Sequence, residues 1–285
     1  MPYNILSVTP IAGALGATIG GVDLARDRGA QLQTELLRAL HEYKVITIHG
    51  QQLDADDLMR IGSVFGPPCA YPFAKGIDGF EYINDVVKAE TERNNFGNDW
   101  HIDSIYLQQP PLATLLYSIQ TPAYGGDTLF ADAESAYEAL SAGMKRLLDG
   151  LIGITSSSLK FRKGGARQAY LSQFSSMQIE APKASESFEA RHPVVRTHPA
   201  TGRKSLYVSP LHTLGFEGFT EEESRPIIEF LCAHLLTPEF GCRVRWVPGQ
   251  LTIWDNRNTL HCAINDYQGK RRHMRRLTVG PEQPI

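Results

Sequence analysis

Apolar positions recur along this chain with two different periods. Leu32, Leu36, Leu37 and Leu40 follow helical spacing, which predicts an amphipathic helix over about residues 31–43. The β-branched run Val45-Ile46-Thr47-Ile48 that follows reads as a buried strand. A second helix is predicted from Ala55 to Val64, stopped by Phe65-Gly66-Pro67-Pro68, where two prolines forbid continuation. Leu112 to Ile119 reads as a core strand. Ser135-Ala136-Tyr137-Glu138 has the form of a capping box and opens a helix running through Leu148. Thr220-Glu221-Glu222-Glu223 opens another, with Ile227, Leu231 and Leu235 on its apolar face. The last part is strand-rich, with strands predicted at Arg243 to Val247, Leu251 to Trp254 and Arg271 to Val279.

Strands therefore gather at both ends with helices between them, and no regular strand–helix alternation appears. This disfavours a doubly wound parallel sheet and predicts a mainly β protein, an antiparallel sandwich or barrel with flanking α-helices. The glycine-dense stretch Gly13 to Leu24 lacks both the G-x-G-x-x-G order and a Walker lysine, so a tight strand pair is expected there rather than a nucleotide loop. With no internal repeat or low-complexity tract, residues 1–285 are read as a single domain. Ser156 to Ala190 stand apart, with Ser156-Ser157-Ser158, Gly164-Gly165, five basic residues and weak apolar periodicity. A segment of that kind is expected to be a lid, the alternative being a solvated, basic surface excursion.

Composition narrows the function classes. Hydrophobic residues make up 42% and charged residues 21%, a globular balance. Lys and Arg number 28 against 31 Asp and Glu, a net charge of −3, so no broad nucleic-acid footprint is expected. No stretch approaches the roughly 20 apolar residues that span a bilayer. Met1 to Thr9 lacks the sections of a signal peptide, and Cys69, Cys232, Cys242 and Cys262 form no C-x-x-C pair. The expectation is a cytoplasmic protein with a small-molecule substrate, without nucleic-acid or membrane partners, and assembled as a homo-oligomer.

The chemistry begins at Trp100-His101-Ile102-Asp103. On a strand, His101 and Asp103 project to one face while Ile102 points away. An imidazole beside a carboxylate suits a transition metal, although the same pair can be a structural hydrogen bond. A serine-hydrolase triad lacks a G-x-S-x-G elbow. The second candidate lies in Trp254-Asp255-Asn256-Arg257-Asn258-Thr259-Leu260-His261, after a strand and before a turn. His101, Asp103 and His261 would form a two-histidine, one-carboxylate facial triad that leaves three metal positions open. His49, His192, His198, His212, His234 and His273 have no similar partner in the sequence and are taken as structural. On the last strand, a period of two puts Arg272, Met274 and Arg276 on one face and Leu277 and Val279 on the other, so buried guanidinium is expected. Buried guanidinium needs a carboxylate, and a ligand carboxylate fits its fork.

Taken in order, these segments resemble the iron(II)- and 2-oxoglutarate-dependent taurine/chlorophenoxyacetate dioxygenases over essentially the whole chain. The resemblance runs from the glycine-dense opening through Phe65-Gly66-Pro67, Asn98-Asp99-Trp100-His101-Ile102-Asp103 and Gly125-Gly126-Asp127-Thr128. It continues with His192-Pro193-Val194-Val195-Arg196-Thr197-His198-Pro199, Gly202-Arg203 and Trp254-Asp255-Asn256-Arg257 to His261. Arg272 and Arg276 then follow His261 by eleven and fifteen residues, the family's spacing. The resemblance implies a double-stranded β-helix, or jelly roll, holding the site between two sheets. It implies iron(II) on His101, Asp103 and His261, and 2-oxoglutarate chelating the metal with its distal carboxylate on Arg272 and Thr128. Dioxygen is the second cosubstrate, and succinate and carbon dioxide are released as a substrate C–H bond is oxidised.

Departures from the family pattern bear on the substrate. Taurine-specific members carry a histidine and a tyrosine where Tyr71 and Ala74 stand here, and Gly97 replaces an asparagine. Tyr71, Phe73 and Tyr106 are therefore expected to line a more apolar pocket, with Arg276 facing an anionic or strongly polar substrate group; a structural ion pair of Arg276 with a carboxylate such as Asp255 is the competing expectation. A bulkier apolar natural product is an alternative substrate, with tailoring oxidation, desaturation or rearrangement as the outcome. From other classes, a zinc-dependent hydrolase on the same ligands leaves Arg272 unexplained, and a non-catalytic jelly-roll binder leaves the intact triad unexplained.

Overall fold

The computed structural model describes residues 2–159, 170–179 and 187–285. The glycine-dense opening forms the expected strand pair, β1 (Ser7–Pro10) against β2 (Ala17–Gly20), closed by a turn in which Gly16 takes φ +92°. Helix α1 (Ala30–Tyr43) buries Leu32, Leu36 and Leu40 and ends at a left-handed Lys44, which turns the chain directly into β3 (Val45–Ile48). Helix α2 (Ala55–Gly62) is capped by the Asp54 side chain and stops two residues short of Val64. Two short strands follow that the apolar pattern did not announce, β4 (Pro68–Cys69) and β5 (Ile83–Lys88).

The middle of the chain contains β6 (Pro111–Gln120), β7 (Thr128–Asp132), α3 (Ala133–Glu138), α4 (Ala142–Leu148) and β8 (Ile152–Ser156). The single helix expected from Ser135 to Leu148 is thus two. Asp132, not Ser135, caps α3: its carboxylate accepts the Glu134 and Ser135 backbone N–H groups and the Ser135 hydroxyl. Ser141 caps α4 separately through the Met144 N–H. The helix begins at Ala133, so Ser135 lies inside its first turn and its hydroxyl bonds back to the capping Asp132.

The chain then forms β9 (Glu189–Pro193), β10 (Val195–Thr197), β11 (Lys204–Leu206), β12 (Thr213–Phe216) and α5 (Glu221–Leu235). Helix α5 has the full capping box, with Thr220 and Glu223 each bonded to the other's backbone, and it buries Ile228 rather than Ile227 beside Leu231 and Leu235. The last strands are β13 (Gly241–Val244), β14 (Leu251–Asp255), β15 (Thr259–Ala263) and β16 (Arg272–Pro281). β13 ends earlier than expected because Val247 gives its N–H to the Gln250 side chain, in a turn rather than a ladder.

The fold is a jelly roll with flanking helices. Its larger sheet runs β1-β2-β3-β14-β6-β16-β4, with β5 also on β16, and faces a smaller sheet, β13-β7-β15. Among the described residues the pairings are antiparallel except that of β2 with β3. Strand alternation sorts the large sheet cleanly. Ile46, Ile48, Leu115, Ile253, Leu277 and Val279 point outward onto α1 and α2. Val45, Leu116, Trp254 and Met274 point inward, where they meet Phe130, Cys242 and Val244 of the small sheet. The inward rank also contains Thr114, Arg272 and Arg276, each buried. Both faces of β16 are therefore covered, as its mixed pattern requires.

Candidate active site

His101 and His261 are brought together by backbone pairing. Each donates its N–H to the other's carbonyl, at 3.0 and 2.9 Å, in an isolated bridge that hangs the His101 segment on β15. The expected strand through Asp103 does not form. The chain turns after the bridge, with Ser104 at φ +48° and Leu107 N–H bonded to the Ser104 carbonyl. Among the described residues no further strand extends the ladder, and the turn, not a pleat, swings Asp103 back beside His101. Ile102 does point away, into the core under α3 and α5.

Each ligand candidate is held differently. The Nδ1–H of His101 donates to the Asp99 carbonyl at 2.7 Å, which presents the Nε2 lone pair, 3.6 Å from Asp103 Oδ1. His261 is fixed by packing, its ring stacked on Phe130 and tilted against Trp254, with Nε2 3.9 Å from the same carboxylate oxygen. Asp103 Oδ2 accepts the Thr114 hydroxyl at 2.6 Å, and Thr114 Oγ1 in turn accepts from Asn256 Nδ2 at 2.9 Å. Asp103 Oδ1 receives Arg276 Nη2 at 2.7 Å.

The electrostatics follow from this crowding. Burial pushes the Asp103 carboxyl up, but Arg276 and the two imidazoles outweigh it and hold it well below the usual carboxylate range. Burial, reinforced by His101, pushes His261 down to about 3. A carboxylate at Asp103 and a neutral imidazole at His261 are protonation states that suit a divalent metal. Ligand atoms of His101, Asp103 and His261 all lie within 4.8 Å of one another, so the donor set fits such an ion.

A second histidine–carboxylate cluster, His41, His198 and Asp255, is equally close-knit but does not fit. His198 Nδ1 already accepts the Ala200 and Thr201 N–H groups, and its Nε2 is 3.1 Å from Asp255 Oδ2. Asp255 is further gripped by Arg257 through both carboxylate oxygens. His198 is a brace, as expected, and so is His192, whose Nε2 meets the Ile105 and Leu107 carbonyls.

Two cavities meet at His101, Asp103 and Arg276. One extends between the sheets past Leu116 and Trp254 to Thr128 and Arg272. Arg272 is 4% exposed, and its Nε and Nη2 have no hydrogen-bond partner among the described residues. A buried guanidinium with idle donors is a receptor for an anion, and a dicarboxylate reaching from the triad would end there.

The other cavity is lined by the expected Tyr71, Phe73 and Tyr106. It is also lined by Phe96, Tyr170, Leu171 and His212, which the sequence reading did not select. Phe96 lies just ahead of the His101 motif, but Tyr170 and Leu171 sit in the aperiodic Ser156–Ala190 segment, where no pattern distinguishes wall from surface. Of that segment, 160–169 and 180–186 lie outside the described residues; Tyr170, Leu171, Phe174 and Met177 pack into the aromatic cluster. His212, taken as structural, faces Tyr106 edge-on at 5.0 Å in the cavity wall, with Nδ1 on the Ser156 carbonyl. Burial pushes Tyr106 up to about 12 and Tyr71 well above its usual value, so both phenols stay neutral.

Arg276 sits at the junction, its guanidinium 5.0 Å from the Tyr71 ring centroid. It does pair with a carboxylate, but with Asp103 rather than Asp255. Strand alternation aims Arg276 at the site, while Asp255 is already taken by Arg257 and His198.

The chain is similar to known proteins over nearly its whole length. Residues 7–278 match the family model described as taurine catabolism dioxygenase TauD, TfdA family. An alpha-ketoglutarate-dependent sulfate ester dioxygenase of Pseudomonas putida is 32% identical over 283 residues, covering 98% of this chain and 91% of that protein. The crystal structure of a taurine dioxygenase from Burkholderia xenovorans superposes with a TM-score of 0.81 at 29% identity, covering 99% of this chain and 93% of that one. That of AAD-2 in complex with Mn(II) and N-oxalylglycine superposes with a TM-score of 0.80 at 26% identity, covering 98% of each chain.

Proposed function

The chain belongs to the taurine catabolism dioxygenase TauD, TfdA family, and on that premise we propose that His101, Asp103 and His261 hold iron(II), that Thr128 and Arg272 receive the distal carboxylate of 2-oxoglutarate, and that the aromatic cavity takes an apolar organic acid. The protein is an iron(II)- and 2-oxoglutarate-dependent dioxygenase, an oxidoreductase that oxidises a small organic substrate as 2-oxoglutarate and dioxygen yield succinate and carbon dioxide. The metal, when bound, supplies the oxygen-activating redox chemistry.

The remaining work falls to the chain itself. Asp99 and Thr114 orient two of the residues that would hold the metal, His101 and Asp103, which line both cavities. Arg272 and Thr128 fix the far end of the cosubstrate and thereby its angle of approach. Phe73, Phe96 and Tyr106 keep water from the reacting C–H bond.

The observation that carries the substrate reading is the position of Arg276, a guanidinium in a mostly aromatic and aliphatic cavity wall whose other polar members are His101, Asp103, Ser104, Ser157 and His212. One anionic group on an apolar body satisfies that wall. The loss of a polar side chain at Gly97 enlarges the space beside His101, since a Cβ there would sit 3.4 Å from His101 Cε1. The segment around Tyr170 and Phe174 would close over such a substrate. The four free thiols fit a reducing, cytoplasmic setting. A panel of arylalkyl and alkyl acids, each with its methyl ester, tests the reading through stimulated 2-oxoglutarate consumption. Acids should stimulate and their esters should not; equal stimulation by the esters contradicts the anion and favours a neutral, natural-product-like substrate.

A further inference from the structure

Trp246 falls within the strand that the sequence predicts from Arg243 to Val247. It lies instead just beyond the end of β13, 3% exposed, between the two sheets. Its indole N–H donates to Thr128 Oγ1 at 3.0 Å, and the Arg272 guanidinium carbon lies 5.5 Å from the centroid of its ring. One side chain thus touches both of the groups at the far end of the cosubstrate cavity.

The chemistry of the indole makes this contact directional. Indole nitrogen can only donate, so Thr128 Oγ1 must accept from it and is left with its own O–H to give. That proton has no acceptor among the hydrogen bonds of the described residues, and Thr128 lines the cavity. The neighbouring Arg272 offers only donors as well, and two of its buried nitrogens are idle. A hydroxyl that already accepts one hydrogen bond also donates a stronger one. With one Thr128 lone pair taken by the indole and Arg272 carrying only donors, the end of the cavity is weighted towards donation, which suits a carboxylate. On the other side the ring face steadies a guanidinium that has been stripped of water.

We infer that Trp246 is a positioning residue for cosubstrate binding, which orients the Thr128 hydroxyl as a donor and seats the Arg272 guanidinium. The inference rests on the assignment of Thr128 and Arg272 to the distal carboxylate of 2-oxoglutarate. Trp246 itself need not touch the cosubstrate.

The test is a double-mutant cycle read as 2-oxoglutarate affinity, by calorimetric titration of anaerobic manganese(II)-loaded protein, alongside steady-state KM and kcat. Trp246→Phe keeps a ring and removes the N–H; Thr128→Val keeps the shape and removes the hydroxyl. Each single change should weaken 2-oxoglutarate binding roughly five- to tenfold, near the upper end of the net worth of one ordinary hydrogen bond. The double variant should bind no more than about twofold worse than Thr128→Val, because the indole acts through that hydroxyl. In Trp246→Phe, kcat at saturating cosubstrate and manganese affinity should stay within about twofold of the parent, so that the loss appears in KM alone. Should Trp246→Phe fold poorly, benzothienylalanine at position 246 replaces the N–H by sulfur at nearly constant shape and should give the same weakening. Parent-like affinity in the N–H-deleted protein while Thr128→Val is weakened overturns the inference and leaves the cosubstrate site standing. Multiplicative losses in the double variant also overturn it, since they mark a merely structural residue. Parent-like affinity in both Thr128→Val and Arg272→Met overturns the site assignment, and the inference with it.

Discussion

Arg276 Nη2 lies 2.7 Å from Asp103 Oδ1, so the cation that faces the aromatic cavity is ion-paired to the carboxylate of the histidine–aspartate triad. Both side chains are buried, at 6% and 5% exposed. Asp103 has two carboxylate oxygens and three claims on them: Thr114 on Oδ2, and Arg276 together with the metal position on Oδ1. A substrate anion at Arg276 would offer it a second carboxylate, and under the proposed function that would link substrate arrival to the charge on Asp103 through one guanidinium.

That linkage gives the first prediction. Arg276→Met should abolish the preference for an acid over its methyl ester and lower kcat/KM for the acid by about one to two decades, the range for loss of a charged hydrogen-bonded contact. Manganese affinity should hold or rise in this variant, because the competing cation on Asp103 is gone. Competition between acid and ester in one reaction vessel, followed by product chromatography, measures the preference. An acid preference that survives the substitution would relegate Arg276 to bracing Asp103.

Thr114 carries the second. It is fully buried, and it receives Asn256 while donating to Asp103. Thr114→Val keeps the volume but leaves one carboxylate oxygen and one amide without partners. Metal affinity should fall roughly 10- to 100-fold, as is usual when the group that orients a ligand is removed. Equilibrium dialysis against manganese(II) reads this directly, and an affinity equal to the parent's would show that the turn alone orients Asp103.

The third concerns the cluster that does not fit a metal. Burial pushes the Asp255 carboxyl up, yet Arg257 and His198 outweigh it and hold it well below the usual range. Asp255→Asn leaves a buried guanidinium with half its partner, and should destabilise the fold by about 3–5 kcal/mol. Because the folded pKa is the depressed one, the carboxylate's contribution is complete above the unfolded value of about 3.9 and is lost as pH falls toward the folded value. Urea unfolding of parent and variant at pH 7, 4 and 3 should show a stability gap that is constant from pH 7 to just above 4 and narrows below it. A gap that widens on acidification would have the sign wrong.

Much of this site could be read from the sequence because its residues obey local periods. The two-residue alternation of β16 placed Arg272 and Arg276 on the inner face, and β5 and β6 covering both sides make that burial real. The strand argument for His101 and Asp103 reached the right neighbours by the wrong route, since a single bridge and a left-handed Ser104 do what a pleat was expected to do. Other features were hidden because they depend on partners distant in the chain. Ser135 has the form of a cap, but Asp132 is closer to the free N–H groups. His212 reaches the cavity only through its pairing with Ser156, and Trp246 is distinguished only by Thr128, 118 residues earlier. No window of sequence contains those pairs.

The most direct measurement is anaerobic titration of metal-free protein with manganese(II), a redox-quiet stand-in for iron(II), in the parent, in His101→Ala, Asp103→Ala and His261→Ala, and in His41→Ala as the control from the other cluster. The parent should bind one ion per chain. Each triad substitution should weaken that binding by about a hundredfold or more, a loss at the upper end of what even orienting groups cause, while His41→Ala should bind as the parent does. Retention of parent affinity by any of the three triad variants, or its loss in His41→Ala, would contradict the assignment of the metal to His101, Asp103 and His261.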